Sequence, residues 1–124
     1  MKIEKLTEFT DDAILVLSDA MGDYQDGYRI EVETGIAELW CINFGESYCI
    51  TRLERDGNLI VLVMCCYGGS TYTKNLCAFC DHVIEICERN NWVVRLHTFN
   101  PRIAEFYQKY FQFDKPELIL KRGY

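Results

Sequence analysis

Residues 58–90 read NLIVLVMCCYGGSTYTKNLCAFCDHVIEICERN, and this stretch decides the fold. Residues 58–67 form a continuous apolar run, which is typical of a central strand buried on both faces of a sheet. Gly68-Gly69-Ser70-Thr71 ends that strand with small residues. From Tyr72 onward apolar residues recur every three or four positions, which predicts a helix over residues 72–90. We therefore predict a buried strand, a short turn and a long helix in succession.

Outside this unit the patterns alternate between strands and helices. Further strands are predicted over residues 1–7, 36–44, 47–54, 93–99 and 117–121. Thr10 and two following acids predict the start of a helix that ends near Met21, and Asn100-Pro101 predicts the start of another. Residues 55–58 have the composition of a hairpin turn. The acidic and aromatic residues 22–35 show no clear periodicity, so we predict a loop there, with a short helical turn as the alternative.

Composition indicates one intracellular domain. The chain has 124 residues, 49% of them hydrophobic and 14% aromatic, which is enough to build a core. The longest apolar run, residues 59–67, is too short for a membrane span, and the N-terminus lacks a signal-peptide pattern. Residues 1–62 carry 13 acidic and five basic residues, whereas residues 63–124 carry six and eight. We therefore expect a soluble, cytoplasmic protein that binds neither membranes nor nucleic acid.

The seven cysteines are odd in number, which favours reduced thiols over a disulfide framework. Cys77 and Cys80 have the spacing of a zinc pair, but both fall in the predicted helix. Cys80 and Cys87 repeat with its apolar face, so we predict core thiols and no metal site. A cysteine-dependent redox or metal protein is kept as a third alternative.

The order of these elements resembles the GNAT family of acyl-CoA-dependent N-acetyltransferases. The most specific stretch is residues 93–121, VVRLHTFNPRIAEFYQKYFQFDKPELILK, in which Asn100 and Tyr107 stand where family members often carry an Asn and a Tyr. The family's Gly-Phe is replaced by Gln112-Phe113. The resemblance implies one α/β (α+β) domain over residues 1–124, with a mixed central sheet of about six strands flanked by helices.

The resemblance also implies where acetyl-CoA binds. An anionic pyrophosphate suits a turn of small residues that leads into a helix, where unpaired N–H groups and the helix dipole converge. The implied cofactor-binding residues are Met64, Cys65, Cys66, Gly68, Gly69, Ser70, Thr71, Thr73, Lys74 and Asn100. Among them, backbone N–H groups around 64–66 are candidates for the donors to the thioester oxygen. Tyr107 resembles the family's general acid, which protonates the departing thiolate.

The cofactor turn departs from the family's pattern. Family members usually read Gln/Arg-x-x-Gly-x-Gly/Ala, and the alignment on Leu76 puts Gly68 at the first of these positions. Thr71 and Thr73 then stand at the glycine positions, where a branched side chain adds bulk. Lys74 offers a positive charge in the first turn of the helix. Without the resemblance, a Gly-Gly-Ser-Thr turn is also an ordinary connection between a strand and a helix.

Several side chains are candidates for contact with the acceptor. The segment that lines the acceptor pocket in the family contains Asp23, Tyr24, Asp26 and Tyr28, and carboxylates there would favour a protonated amine. His97 is the candidate general base, with a structural role in its strand as the alternative. Glu38 and Glu46 are the other candidate bases. A cysteine nucleophile paired with His97 would be a different mechanism.

The sequence thus predicts a GNAT-like N-acetyltransferase that moves an acetyl group from acetyl-CoA to an amine by direct attack. The acceptor would be a small molecule or a protein, and a homodimer is compatible with the resemblance. The alternative is a catalytically inactive GNAT-fold protein that has lost cofactor binding. Such binding or structural modules occur in bacteriophages, and the short chain and altered turn agree with that alternative.

Overall fold

The structure is a computed structural model that describes residues 1–69, 73–96, 105–106 and 108–109. The candidate residues Ser70, Thr71, His97, Asn100 and Tyr107 lie outside the described residues, as does the strand predicted over 117–121. The four described residues 105–106 and 108–109 are helical, within the helix predicted from Pro101.

Five strands form one mixed sheet in the described part of the chain, in the order β1-β2-β3-β4-β5. They are β1 (Ile3–Leu6), β2 (Ala37–Ile42), β3 (Ser47–Asp56), β4 (Leu59–Gly69) and β5 (Val93–Leu96). The first four strands are antiparallel neighbours, and β5 joins β4 in parallel. The predicted mixed sheet is confirmed, with five described strands where about six were expected.

Three helices of the described chain flank the sheet: α1 (Asp11–Met21), α2 (Gln25–Glu33) and α3 (Thr73–Asn90). The Thr10 side chain caps α1 by accepting a hydrogen bond from the Ala13 N–H at 3.2 Å, as the sequence predicts. The loop predicted over residues 22–35 is wrong, because this segment is a 3₁₀ turn followed by α2. Gly27 concealed the helix, since glycine disfavours helix interiors.

The core lies on both faces of the sheet. On one face α1 and α2 pack against β2 and β3, with Leu17, Leu39 and Ile50 fully buried. On the other face α3 packs through Phe79 and Val83. Cys80 and Cys87 are buried on α3, which confirms that they contribute to the core. None of the helices described here is long and apolar enough to cross a membrane.

Candidate active site

A β-bulge interrupts β4 at the position predicted to contact the thioester. Ile50 of β3 pairs with Cys66, but the next residue, Thr51, pairs with Met64, so Cys65 is an extra residue. Cys65 and Cys66 both pack against the apolar cluster on the α1/α2 face, although neighbours in a regular strand point to opposite faces. The predicted donor segment 64–66 is therefore irregular backbone, with one residue outside the antiparallel pairing.

The opposite edge of β4 pairs with β5 up to the residue before the bulge. The parallel pairs with β5 run from Val61↔Val93 to Met64↔Leu96. From Cys65 to Gly69 the described partners of β4 are all on β3. Leu96 is the last residue described before the gap at 97–104, so this edge of β4 is described only as far as Met64. The bulge itself leaves Cys65 outside the pairing with β3, and unpaired backbone N–H groups are the donors that an acyl oxygen requires.

The two glycines that end β4 are packed tightly against protein. A Cβ atom at Gly68 would stand 2.8 Å from the Val16 carbonyl oxygen of α1. Gly69 has φ +126°, and a Cβ there would overlap the Glu46 carbonyl and stand 2.6 Å from the Ser47 Cα. Both positions therefore require glycine for packing, independently of any phosphate.

The first turn of α3 presents one exposed cation and one buried amide. Thr73 begins the helix, and Lys74 is exposed to solvent. The buried Asn75 amide donates to the Glu46 carboxylate and to the Ser47 hydroxyl, each at 3.2 Å. Glu46 also accepts from the Asn43 side chain. Asn75 thus fixes the start of α3 against the turn between β2 and β3. The Glu46 carboxylate is engaged by these amide hydrogen bonds.

Of the four predicted acceptor residues, the structure brings Tyr28 to the bulge. Burial raises the pKa of Tyr28, and the neighbouring thiols of Cys66 and Cys65 act in the same direction. The Tyr24 ring packs edge-to-face on Tyr28, with ring centroids 4.9 Å apart. Asp23 and Asp26 are exposed, and Asp26 lies two residues from Tyr28 on the helix, toward a different side.

A charged cluster that the sequence analysis did not identify lies beside Tyr28. Arg52 of β3 donates from Nη1 to the Glu31 carboxylate of α2 at 2.7 Å, and from Nη2 to Glu54 at 2.9 Å. Burial disfavours the charged form of Arg52, but the hydrogen bonds to Glu31 and Glu54 outweigh it and raise its pKa. The spacing of Tyr24, Tyr28 and Glu31, four and three residues, is the signal that would have revealed this helix face.

The cysteines of the bulge are poorly suited to nucleophilic chemistry. Burial raises the pKa of Cys65 to about 11, while the charge of Arg52 lowers it. Burial also raises the pKa of Cys66 to about 12. Because their pKa values are raised, both side chains are protonated near neutral pH. The reactive form is the thiolate, which is therefore scarce. These thiols therefore line the site as apolar groups.

The other two candidate bases are engaged elsewhere. Glu38 lies 3.9 Å from the Lys5 ammonium, and Glu46 accepts the amide hydrogen bonds described above. Tyr28, Glu31 and Cys65 instead cluster on the α1/α2 face at the bulge. Among the described residues, Tyr28 and the Glu31–Arg52 pair thus lie beside the bulge.

Several solved acetyltransferase structures resemble the whole chain. An acetyltransferase of Trypanosoma brucei gives a TM-score of 0.70 at 12% identity, covering 99% of each chain. The glucosamine-6-phosphate N-acetyltransferase of Arabidopsis thaliana gives 0.64 at 14% identity, over 98% of this chain and 97% of that one. The ribosomal-protein-alanine N-acetyltransferase of Brucella melitensis biovar Abortus gives 0.63 at 15%, over 98% and 99%.

At these identities the likeness establishes the fold, and the resemblance to GNAT acetyltransferases is confirmed at that level. No family model matches the sequence, and the search of curated proteins gives no significant match.

Proposed function

We propose that this chain is an N-acetyltransferase that moves an acetyl group from acetyl-CoA to an amine. The observation that carries the proposal is the bulge at Cys65, where one residue of β4 leaves the pairing with β3. An irregular strand edge of this kind provides backbone N–H groups for an acyl oxygen. The likeness of the whole chain to solved acetyltransferases supports the same reaction class.

The residues present fit acetyl-CoA at two places. Acetyl-CoA would supply a thioester carbonyl as the acetyl donor. Backbone N–H groups around Met64, Cys65 and Cys66 would bind the carbonyl oxygen. The first turn of α3, with the exposed Lys74, would attract the anionic phosphates through its dipole and its ammonium charge. Ser70, Thr71, Thr73 and Asn100 complete the proposed binding set.

In the proposed reaction the amine nitrogen bonds to the carbonyl carbon as the carbon–sulfur bond breaks. Tyr107 donates its hydroxyl proton to the departing sulfur, and His97 accepts the proton that the amine loses. Tyr24 and Tyr28, with Asp23 and Asp26 at the entrance, would line the path of the acceptor. Both proton-transfer roles rest on the resemblance and are tested by substitution.

A second candidate is a GNAT-fold binding module without cofactor. It is favoured by Gly68 and Gly69, whose lack of a side chain is already required by contacts with Val16, Glu46 and Ser47. These glycines are therefore no evidence of a phosphate site. In addition, Thr71 and Thr73 stand at the positions where family members usually carry the glycines of the cofactor turn.

Calorimetric titration with acetyl-CoA separates the two candidates. The enzyme proposal expects saturable binding, followed by release of coenzyme A when an amine is added. Tyr107→Phe should lower turnover about 100-fold and leave acetyl-CoA affinity unchanged. Tyr110→Phe, three residues further in the same predicted helix, is the matched control. Absence of binding at millimolar acetyl-CoA would favour the binding module.

The proposal includes a cytoplasmic location and an amine acceptor that is a small molecule or a protein. The odd number of cysteines agrees with a reducing compartment. The acidic N-terminal half disfavours nucleic acid as a partner. A homodimer is compatible with these features.

A further inference from the structure

Three side chains on the α1/α2 face of the sheet form a cluster with an excess of negative charge. Arg52 is the one cation in the Glu31–Arg52–Glu54 group, so the group carries one net negative charge. Arg95, on β5 beyond β4, is paired with Asp56 of β3 at 2.9 Å and adds no net charge. The cluster can therefore accept one further cation without building up positive charge.

One oxygen of this cluster is buried without a partner. Arg52 contacts Glu54 through both Nε and Nη2, at 3.0 and 2.9 Å, and reaches Glu31 Oε1 through Nη1 alone. Glu31 Oε2 is buried and has no hydrogen-bond partner among the described residues. A buried carboxylate oxygen without a donor is unfavourable, and native structures rarely retain one without a role.

The cluster lies beside the bulge of β4. Arg52, which binds Glu31 and Glu54, pairs across the sheet with Val63, two residues before the extra residue Cys65. Tyr28 lies near Glu31, Cys65 and Cys66 and provides an aromatic wall. The proposed acyl position and the unpartnered oxygen thus share one face of the sheet.

The cluster is reachable from solvent and lies in an acidic segment. The exposed fraction of the side chains rises from 14% for Glu31 to 29% for Arg52 and 38% for Glu54. The group therefore opens to solvent at the Glu54 end. Residues 11–33 contain seven acidic residues and one arginine. Such an excess attracts cations and repels anions during diffusional approach.

We propose that Glu31 Oε2 binds the acceptor amine, which is a cationic alkylamine without an anionic group close to the reacting nitrogen. The ammonium N–H donates to Oε2 on binding, and Arg52 holds the carboxylate in place through Oε1. The ammonium releases one proton to solvent before the attack, and the neutral amine keeps one N–H donated to Oε2. An amine with a phosphate or carboxylate nearby would meet the excess negative charge of the cluster. This inference rests on the proposed function for its position relative to the acetyl donor.

The test compares Glu31→Gln with Glu33→Gln, which removes the same charge from an exposed position two residues further on α2. The probes are n-butylamine and 4-aminobutanoate, which differ in one carboxylate. Glu31→Gln should raise KM for n-butylamine by about 10- to 100-fold, the range expected for one charge-assisted hydrogen bond. In both variants the affinity for acetyl-CoA should stay within twofold of the wild-type value. Glu33→Gln should change neither quantity, and the wild type should prefer n-butylamine to 4-aminobutanoate.

A second measurement does not depend on turnover or on the folding of a variant. The glutamate side-chain carboxyl carbons of the wild type are labelled with ¹³C and titrated with n-butylammonium chloride. The Glu31 resonance, assigned by its loss in Glu31→Gln, should shift with saturation. Tetramethylammonium, which is a cation without an N–H donor, should shift it less.

The outcomes separate the two proposals. Binding of acetyl-CoA with an unchanged KM for n-butylamine in Glu31→Gln would overturn the amine site and leave the proposed function intact. A Glu31 resonance that does not respond to n-butylammonium would also overturn it, and would assign Oε2 to a bound water. Absence of acetyl-CoA binding together with a Glu31 response would overturn the proposed function and support the amine site.

Discussion

Gly68 of β4 lies directly against the backbone of α1, where a Cβ would stand 2.8 Å from the Val16 carbonyl oxygen and 3.2 Å from Leu17 Cδ2. Helix and strand therefore approach as closely as two backbones allow. This contact sets the distance between α1 and the strand that carries the bulge. Because the contacting atom belongs to the backbone, it cannot move aside as a flexible side chain could.

We therefore expect Gly68→Ala to destabilise the protein by about 1–3 kcal/mol, the usual cost of overpacking a core. Urea denaturation measures the change in the free energy of unfolding. Gly35→Ala, just after the end of α2, is the control: its added Cβ meets nothing within 4 Å, and φ is +83°. That variant should lose only the cost of the left-handed conformation, about 1 kcal/mol. Equal stability of Gly68→Ala and wild type would contradict the close contact.

The ion pair between Arg52 and Glu31 should contribute to stability in a way that a double-mutant cycle detects. The pair is half-buried, so its interaction energy should lie near 1–3 kcal/mol, between the values for exposed and fully buried pairs. The cycle combines Arg52→Met with Glu31→Gln and measures unfolding in urea. The same cycle with Glu54→Gln should give a smaller value, because Glu54 is more exposed. Additive effects of Arg52→Met and Glu31→Gln would contradict the pairing.

A buried hydrogen bond joins β2 and β3 on the face of the sheet that packs against α3. Trp40 donates from Nε1 to the Thr51 hydroxyl at 2.8 Å, and both residues are buried. Thr51→Val keeps the shape but leaves the indole N–H without an acceptor, which should cost about 1–3 kcal/mol. Thr51→Ser keeps the hydroxyl and should retain more of the stability. Thermal unfolding followed by tryptophan fluorescence distinguishes them, and equal midpoints for the two variants would argue against this bond.

Alkaline pH should weaken the fold through its buried thiols. Burial raises the pKa of Cys66 and of Cys80 to about 12, from an ordinary value of 9.0. A raised pKa leaves stability unchanged below pH 9.0. Above it the unfolded chain ionises first, so stability falls as pH rises toward 12.

Each of these thiols should lower the free energy of unfolding by at most about 1.4 kcal/mol for each pH unit above 9.0. Urea denaturation of wild type and Cys80→Ala at a series of pH values measures this slope. Cys80→Ala should be less stable at neutral pH because packing is lost, but its alkaline decline should be shallower. Parallel pH profiles of the two proteins would show that the pKa of the Cys80 thiol is the same in the folded and the unfolded chain, which would contradict the prediction.

Local patterns were sufficient to predict most of the strands and the two helices α1 and α3. The bulge at Cys65 was not predictable, because the run of apolar residues in β4 is the same whether or not one residue leaves the pairing. It is the register against β3 that defines the bulge. The resemblance nevertheless names residues 64–66 as candidate donors to the thioester, and that role stays a prediction.

Helix α2 was missed because its sequence contains a glycine. That glycine is required by a tertiary contact with Tyr24. A Cβ at Gly27 would stand 2.7 Å from the Tyr24 ring, so the glycine makes room for that side chain. With the helix unrecognised, Glu31 remained one acidic residue among several. Its partner Arg52 lies 21 residues further along the chain, on a different element. No pattern within either segment predicts that pairing.

The most direct test of the proposed function is the response of backbone amide resonances to acetyl-CoA in a ¹⁵N-labelled sample. The proposal predicts that the amides from Met64 to Gly69, together with those in the first turn of α3, shift progressively and reach saturation. Amides of β1, at the far edge of the sheet, should not move. A spectrum unchanged at millimolar acetyl-CoA, or shifts confined to surfaces away from β4, would contradict the proposal that this fold binds acetyl-CoA at the Cys65 bulge.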